Sequence, residues 1–195
     1  MPNEVNTSRL SSRLRRRVRV MRLYTHDLRS IPDVSLQPGD RIEALDPSRY
    51  WILREIHPID ISEDQSRLEA GHKCFVGWSN GRPAHFSWIQ DAGVHRIRGT
   101  WRRDAVQPGD LWIYSARTAE WARGRRLLPA ALATILREYK SRNYKRALAT
   151  IAEENIASIS GADRAGFVLS ERIRSFAVRS SLFPLPGSAY LAKGA

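Results

Sequence analysis

The stretch from Leu111 to Ala152 most constrains the fold, because three secondary-structure signals follow one another closely. Its first segment, LWIYSA at 111–116, is apolar and aromatic and predicts a strand. From Leu127 to Tyr139 apolar residues recur at helical spacing with charged residues between them, which predicts an amphipathic helix of about four turns. ALATIA at 147–152 is a short apolar run without polar alternation, typical of a strand covered on both faces. The stretch therefore predicts a strand–helix–strand unit.

The connection into the helix, ARGRRLLPAAL, combines one glycine with three arginines. A helix N-terminus offers unpaired N–H groups and a partial positive charge, so a loop leading into it can bind phosphate. Gly124 allows a close approach to the backbone, and Arg123, Arg125 and Arg126 add forked donors suited to a pyrophosphate. A plain solvated basic turn is the alternative interpretation.

The residues after the second strand indicate another helix and a closing strand. Asn155 is suited to cap a helix that runs through Asp163. Gly166 stands where that helix ends, and Phe167 supplies the apolar contact that often accompanies such an end. VLSERIRSFAV at 168–178 predicts the last strand of this region.

The segment KCFVGWSNGRPAHFSWIQ at 73–90 supports two interpretations. Residues 77–81 match the G-x-S-x-G pattern of serine hydrolases, in which a helix begins directly after the serine. Here Pro83 and an alternating aromatic run follow instead, and Asn80-Gly81 is a strong β-hairpin signal. We therefore predict a hairpin with Ser79 as a turn residue.

Turn and strand signals also occur elsewhere. QPGD appears at 37–40 and again at 107–110, and adjacent proline and glycine predict a tight turn at each place. VRVMRLY at 18–24 alternates apolar and basic residues, as a half-buried strand does.

The chain is strongly basic, with a net charge of +12 over 195 residues, so its partners are expected to be anionic. Arg9 to Arg22 contains no acidic residue and is rich in arginine and serine. A nucleic-acid-binding arm, an organelle transit segment and a surface leader into the first strand all fit this composition. We predict a basic arm at 1–17 and a single domain at 18–195, since this length suits one core.

Composition excludes several classes of protein. Hydrophobic residues at 42% and charged residues at 27% are ordinary for a folded chain. No apolar run is long enough for a membrane span and the N-terminus lacks a signal core, so we expect a cytoplasmic protein. The single cysteine, Cys74, allows neither an internal disulfide nor a CxxC metal pair, and we expect no metal.

The order from the hairpin to the closing strand resembles the GNAT superfamily of N-acyltransferases over residues 73–178. ARGRRLLPAAL looks like the acyl-CoA pyrophosphate loop of that family, and ENIASISGADRAGF looks like its Asn-x-x-Ser and Gly-Phe segment. Arg126 stands where a central glycine is usual, and Ala162 stands where members with a tyrosine general acid carry it. The resemblance implies an α/β (α+β) fold with a mixed, mostly antiparallel central sheet flanked by helices.

The resemblance also implies a site and a co-substrate, acetyl-CoA or another acyl-CoA. The thioester would lie along residues 114–118, whose splayed strand end exposes N–H groups to the carbonyl oxygen, and Asn155 would hold the pantetheine arm. Glu153 is the first candidate to accept the proton of the attacking amine, Tyr114 the second and water the third. The residues expected to bind the co-substrate are Ala116, Arg117, Thr118, Arg123, Gly124, Arg125, Arg126, Leu127, Leu128, Asn155 and Ser158.

The function implied is acyl transfer to an amine, with a small-molecule amine as the default acceptor. A CoA-binding module without transfer activity and a basic nucleic-acid-binding protein are the alternatives, and a homodimer is left open. The acceptor site is expected to form from the N-terminal third and the hairpin, with four tryptophans as candidate walls: Trp51, Trp78, Trp88 and Trp101.

Overall fold

A twisted sheet of eight strands organises the computed structural model, which describes residues 17–57, 61–178 and 181–184. Its strands are β1 (Arg17–His26), β2 (Asp40–Ala44), β3 (Lys73–Ser79), β4 (Arg82–Gln90), β7 (Asp110–Thr118), β8 (Arg146–Ala152), β9 (Val168–Val178) and β10 (Ser181–Pro184). The order across the sheet is β10-β9-β1-β8-β7-β4-β3-β2, and β7 and β8 form the parallel pair while the other neighbours are antiparallel. The mixed, mostly antiparallel sheet is therefore confirmed.

Helices cover the sheet on both faces. On one face α2 (Leu127–Ser141) and α3 (Ile156–Arg164) pack over a core that includes Ile135 and Phe167. The opposite face is covered by a 3₁₀ helix (Pro47–Glu55), with Ile52 and Leu53 buried against β3 and β4. The remaining α-helix is α1 (Ile61–Glu69), and none of the described helices is long and apolar enough to cross a membrane.

The predicted turns form as expected. Asn80 and Gly81 have φ values of 50° and 79° and join β3 to β4 as a tight hairpin. Each QPGD sequence closes a turn through a bond from the aspartate N–H to the glutamine carbonyl, with the glycine at positive φ. Because Ser79 leads into a strand and not into a helix, the serine-hydrolase interpretation is excluded.

The predicted ends of α3 are also confirmed. The Asn155 side chain accepts a hydrogen bond from the Ser158 N–H at 3.2 Å. At the other end Gly166 has φ 84°, and the Phe167 N–H bonds to the carbonyl of Ala162. These contacts satisfy backbone groups that a helix leaves unpaired at its termini.

Residues between β4 and β7 form a small hairpin that the sequence did not reveal. Its strands are β5 (Val94–Arg96) and β6 (Arg103–Ala105), which pair only with each other among the described residues. Ile97 is fully buried and packs with Met21 of β1 and Trp112 of β7. The hairpin is thus fixed over the end of the central strands.

The predicted arm at 1–17 lies outside the described residues except for Arg17, where β1 begins. The single domain at 18–195 stays a prediction.

Candidate functional site

The loop into α2 forms one wall of a cleft of about 530 Å³. Gly124 has φ 83°, and Arg126 lies in the left-handed region at φ 62° and ψ 22°, directly before the helix. Arg126 makes no side-chain capping bond, and no acceptor among the described residues pairs with the N–H groups of residues 124–128. The helix therefore begins with unpaired donors that face a concave surface, an arrangement that favours anions.

The three arginines of the loop have different roles. Arg126 is exposed and lines the cleft, as does Arg123, whose guanidinium lies 3.4 Å from the exposed Glu120 carboxylate. Arg125 instead bonds to Asp40 at 2.9 Å, and that carboxylate is fully buried. The expectation that Arg125 contacts a co-substrate finds no support in this geometry, because its charge is already neutralised in the fold.

A second helix supplies the other wall of this cleft. Asn155, Ser158 and Arg164 of the α3 region line it, and Arg164 was not among the predicted residues. Gly161 allows the close approach of the two helices, because a Cβ there would lie 2.7 Å from the Leu128 side chain. Leu128 itself lines the cleft between the helices.

The strand β7 diverges from β8 halfway along its length. The two strands pair from Asp110 to Ile113 and no further, so among the described residues the edge of β7 beyond Ile113 has no strand partner on that side. Ser115 has φ 48°, and the register with β4 shifts at this point as in a β-bulge. Divergence and bulge together open the sheet over Ser115, Ala116, Arg117 and Thr118.

A second cleft, of about 850 Å³, lies on the far side of this opening. The two clefts meet, since five residues line both of them: Ala116, Arg117, Leu128, Asn155 and Ser158. We call the cleft at the helix N-terminus the loop cleft and the larger one the acceptor cleft.

A tyrosine and a histidine contact each other in the acceptor cleft. The Tyr114 hydroxyl lies 2.5 Å from His72 Nδ1, and both residues line the cleft. Burial raises the pKa of the Tyr114 hydroxyl and lowers the pKa of the His72 imidazole. At neutral pH the hydroxyl therefore keeps its proton and donates a hydrogen bond to a neutral imidazole.

A second histidine is held in a single tautomer nearby. The Gln90 amide nitrogen donates to the Ala92 carbonyl at 2.9 Å, which turns its oxygen toward His95 Nδ1, also at 2.9 Å. His95 Nδ1 must then be the donor, and its ring stacks on Trp112 with centroids 4.3 Å apart. Burial lowers the pKa of His95 to about 4, so it contributes a neutral ring to the cleft.

The geometry does not bring the first candidate base to the cleft. Glu153 bonds to Arg22 at 3.0 Å and to Arg172 at 3.4 Å, and it bridges two arginines that are opposite each other on β1 and β9. The next residue, Glu154, lines the acceptor cleft and has no ion-pair partner among the described residues. The turn after β8 thus directs one glutamate to the sheet edge and its neighbour to the cleft.

The tryptophans expected as walls of the acceptor site do not line either cleft. Trp78 and Trp88 are buried in the core beneath the 3₁₀ helix, and Trp51 and Trp101 are exposed elsewhere. Their aromatic character reflects packing in two cases and surface position in the other two. Within the described part of the chain no cluster of three or more His, Cys, Asp or Glu could hold a metal ion.

Several solved structures with a similar fold are proteins of the GNAT family. A GNAT-family protein from Novosphingobium aromaticivorans matches with a TM-score of 0.58 and 17% identity, over 82% of this chain and 64% of that one. A GCN5-related N-acetyltransferase from Sphaerobacter thermophilus matches with a TM-score of 0.59 and 17% identity, over 84% of this chain and 53% of that one. A tandem GNAT protein of the clavulanic acid biosynthesis pathway matches with a TM-score of 0.53 and 15% identity, over 85% of this chain and 55% of that one. The chain adopts the GNAT fold.

This GNAT fold is supported by structure alone. No protein-family model matches the chain, and no curated protein matches it. The chain spans less than two thirds of the length of each of the three solved proteins. At this level of identity the likeness establishes the fold, and the chemistry has to be argued from the clefts.

The sequence did not reveal the residues that long-range contacts bring to the two clefts. His72 reaches Tyr114 across 42 positions of sequence, and Arg164 joins Arg123 and Arg126 from another helix. Arg98 and Thr100, which follow β5 and line the acceptor cleft, were also not predicted. The sequence signal that could have found His72 is its position directly before β3. The hairpin pairs β3 with β4, and Cys74 lies opposite Trp88. Trp88 in turn lies opposite Tyr114 of β7.

Proposed function

We propose that this chain transfers an acyl group from acyl-CoA to the amine of a small molecule. The observation that carries the proposal is the meeting of the two clefts at the splayed end of β7. The loop cleft has the donors for a phosphate chain, and the acceptor cleft has groups that can carry a proton. A molecule extending from one cleft to the other would pass the unpaired edge of β7.

The residues of the loop cleft fit the phosphates of CoA. Unpaired N–H groups at the start of α2 and the guanidinium groups of Arg123, Arg126 and Arg164 supply donors around one concavity. A Cβ at position 124 would meet nothing within 4 Å, so the space beside Gly124 is open. The reason for a glycine here is its φ of 83°, which other residues rarely adopt. No carboxylate lines this cleft among the described residues.

The residues shared by both clefts fit the narrow arm that joins the phosphates to the thioester. Asn155 uses its side-chain oxygen to cap α3, which leaves its amide nitrogen available to a ligand carbonyl. The thioester supplies an activated acyl group when CoA is bound. The β7 edge beyond Ile113 offers backbone polar groups that no other described strand pairs with, and an oxyanion can be stabilised there.

We assign the proton transfer to the Tyr114–His72 pair. As the amine attacks, a C–N bond would form, the thioester C–S bond would break and CoA would leave as a thiolate. The amine must also lose a proton, which the Tyr114 oxygen can accept while its own hydroxyl proton passes to His72 Nδ1. That proton can then return to the thiolate or to solvent. This relay needs a neutral imidazole, which the lowered pKa of His72 provides at pH 7. Glu154 is a second acceptor group in the same cleft.

The proposal predicts that Tyr114→Phe lowers kcat by about 100-fold with little change in CoA affinity, because general acid–base groups contribute on this scale. The measurement is thiol release from acetyl-CoA with a panel of amines, together with calorimetric titration of CoA. His72→Gln should lower kcat to a similar extent, and the double variant should be no slower than the slower single one.

Tyr144→Phe serves as the control, since Tyr144 bonds to Asp91 outside both clefts. Full activity of Tyr114→Phe would refute the relay. Absence of both CoA binding and thiol release in the unaltered protein would refute acyl transfer. CoA binding without thiol release for any amine would indicate a binding module.

A further inference from the structure

Three arginines in the acceptor cleft have no acidic partner among the described residues. Arg19, Arg96 and Arg98 line the cleft, and none lies within 4 Å of a carboxylate among the described residues. Arg67, which also lines it, is by contrast paired with Glu63 and with Asp64. An exposed guanidinium that the fold leaves unneutralised, repeated three times on one concave wall, provides a strong local positive potential.

The hairpin that carries two of these arginines is firmly attached to the sheet. Arg102 bonds to Asp104 at 2.8 Å and to Glu171 of β9 at 2.7 Å. The Ser175 hydroxyl donates to the Gly99 carbonyl at 3.0 Å, and Ile97 is fully buried. These contacts hold the backbone of the hairpin in place, and with it the backbone positions of Arg96 and Arg98.

The arginines converge from two elements. Ile97 turns into the core, so the flanking residues Arg96 and Arg98 project to the other side and are exposed. Arg19 of β1 lies against the turn itself, because a Cβ at Gly99 would be 2.5 Å from its Nη1. The bare glycine thus allows the Arg19 guanidinium to reach the turn that carries Arg98.

This arrangement is unfavourable for the fold. Arg96 is directly opposite Arg103 in the two-stranded ribbon, and like charges in that position destabilise a strand pair. A cluster that costs stability and remains in a cleft is better explained by a ligand than by packing.

We propose that the acceptor is an amine that also carries a carboxylate or a phosphate, and that Arg19, Arg96 and Arg98 bind this anionic group. The inference rests on the proposed acyl transfer. Guanidinium forks match both kinds of anion, and Glu154 in the same cleft offers a carboxylate to the ammonium group. A concave cleft of about 850 Å³ suits a small molecule, whereas a nucleic acid backbone is followed by an extended basic groove.

A binding measurement tests the anion site without requiring turnover. We would titrate the protein with O-phosphoethanolamine and β-alanine, and with their neutral counterparts ethanolamine and β-alaninamide. We expect the protein to bind at least one anionic amine, and to bind the neutral counterpart of that amine at least about tenfold more weakly. Arg96→Gln with Arg98→Gln should abolish the difference, and its melting temperature should be unchanged or higher because a like-charge pair is removed.

Arg29→Gln with Arg54→Gln is the matched control, because it removes the same charge from exposed arginines outside both clefts. Equal affinity for charged and neutral amines, equal loss in both double variants, or no anion binding at all would overturn the inference. Duplex DNA bound in a way that only the cleft variant loses would overturn it in favour of a nucleic acid.

Turnover separates this inference from the proposed function. Thiol release from acetyl-CoA should have a KM for the anionic amine that rises about tenfold or more in the cleft variant, with an unchanged Kd for CoA. Turnover that favours neutral amines would leave acyl transfer standing and refute the anionic acceptor. Arginine-dependent anion binding without turnover would refute acyl transfer and leave the anion site.

Discussion

Arg126 combines an unfavourable backbone conformation with an exposed positive charge that has no ion-pair partner among the described residues. Its φ of 62° belongs to the left-handed region that glycine occupies without steric cost, whereas other residues lose roughly 1 kcal/mol or more there. The resemblance of this loop to the GNAT pattern implies a glycine at this position, and the structure keeps the conformation that glycine would favour. The side chain is therefore held at the cleft at a cost to the fold.

We predict that Arg126→Gly raises the free energy of unfolding by about 1 kcal/mol and weakens CoA binding. The loss of affinity should be larger at low salt, since screening weakens charge interactions. Denaturant unfolding and calorimetry would measure the two effects. Arg126→Lys is the control that keeps the charge and the strain, and unchanged affinity in Arg126→Gly would mean that only the loop backbone contacts the phosphates.

At the scale of elements, one ion pair joins the loop before α2 to the turn before β2. Arg125 uses two nitrogens on the Asp40 carboxylate, which is fully buried. Asp40 is the last residue of the first QPGD turn, so a turn at one edge of the sheet is attached to a loop that lines a cleft. We infer that this pair positions the loop.

We predict that Asp40→Asn lowers the free energy of unfolding by about 2 kcal/mol, because the buried partner of a charged hydrogen bond is weakened. Affinity for CoA should fall as well, although Asp40 does not line the loop cleft. A double-mutant cycle with Arg125→Gln would measure the coupling in stability and in binding. Additive effects in the cycle would contradict the role of the pair.

The elements that local sequence signals determine could be predicted, and the contacts between distant elements could not. The Asn80-Gly81 hairpin, the Asn155 cap and the end of α3 at Gly166 each depend on a few adjacent residues, and each formed as expected. Arg125 is 85 positions from Asp40, and only the folded sheet brings them together. The ribbon of β5 and β6 is too short to produce a periodic pattern, so its arginines carried no recognisable signal.

At the scale of the whole molecule, two histidines are buried in neutral form. His85 bonds to Thr118 and Ser87 at 2.8 and 2.9 Å, and burial lowers its pKa to about 3. His95 has a pKa lowered to about 4 by burial, as described above. In the unfolded chain both would take up a proton near pH 6.5.

We predict that the protein is less stable at pH 5 than at pH 7.5. Above pH 6.5 neither state binds these protons, and below it the unfolded state binds them first, so stability falls as the pH drops toward the folded pKa values. Each histidine should account for roughly 2 kcal/mol at pH 5. Chemical denaturation at both pH values would measure the loss, and a His85→Gln variant with an equally steep pH dependence would contradict the assignment.

The place of the first strand in the sheet determines when folding can finish. β1 is bonded on one side to β8 and on the other to β9, whose residues follow it by more than a hundred positions. A ribosome would therefore release the hydrophobic face of β1 long before it makes the strands that cover it. Until β8 and β9 are synthesised, Leu23 and Tyr24 of a nascent chain lack the strands that bury them and can promote aggregation. Chaperone binding should therefore concentrate on nascent chains that end before residue 146.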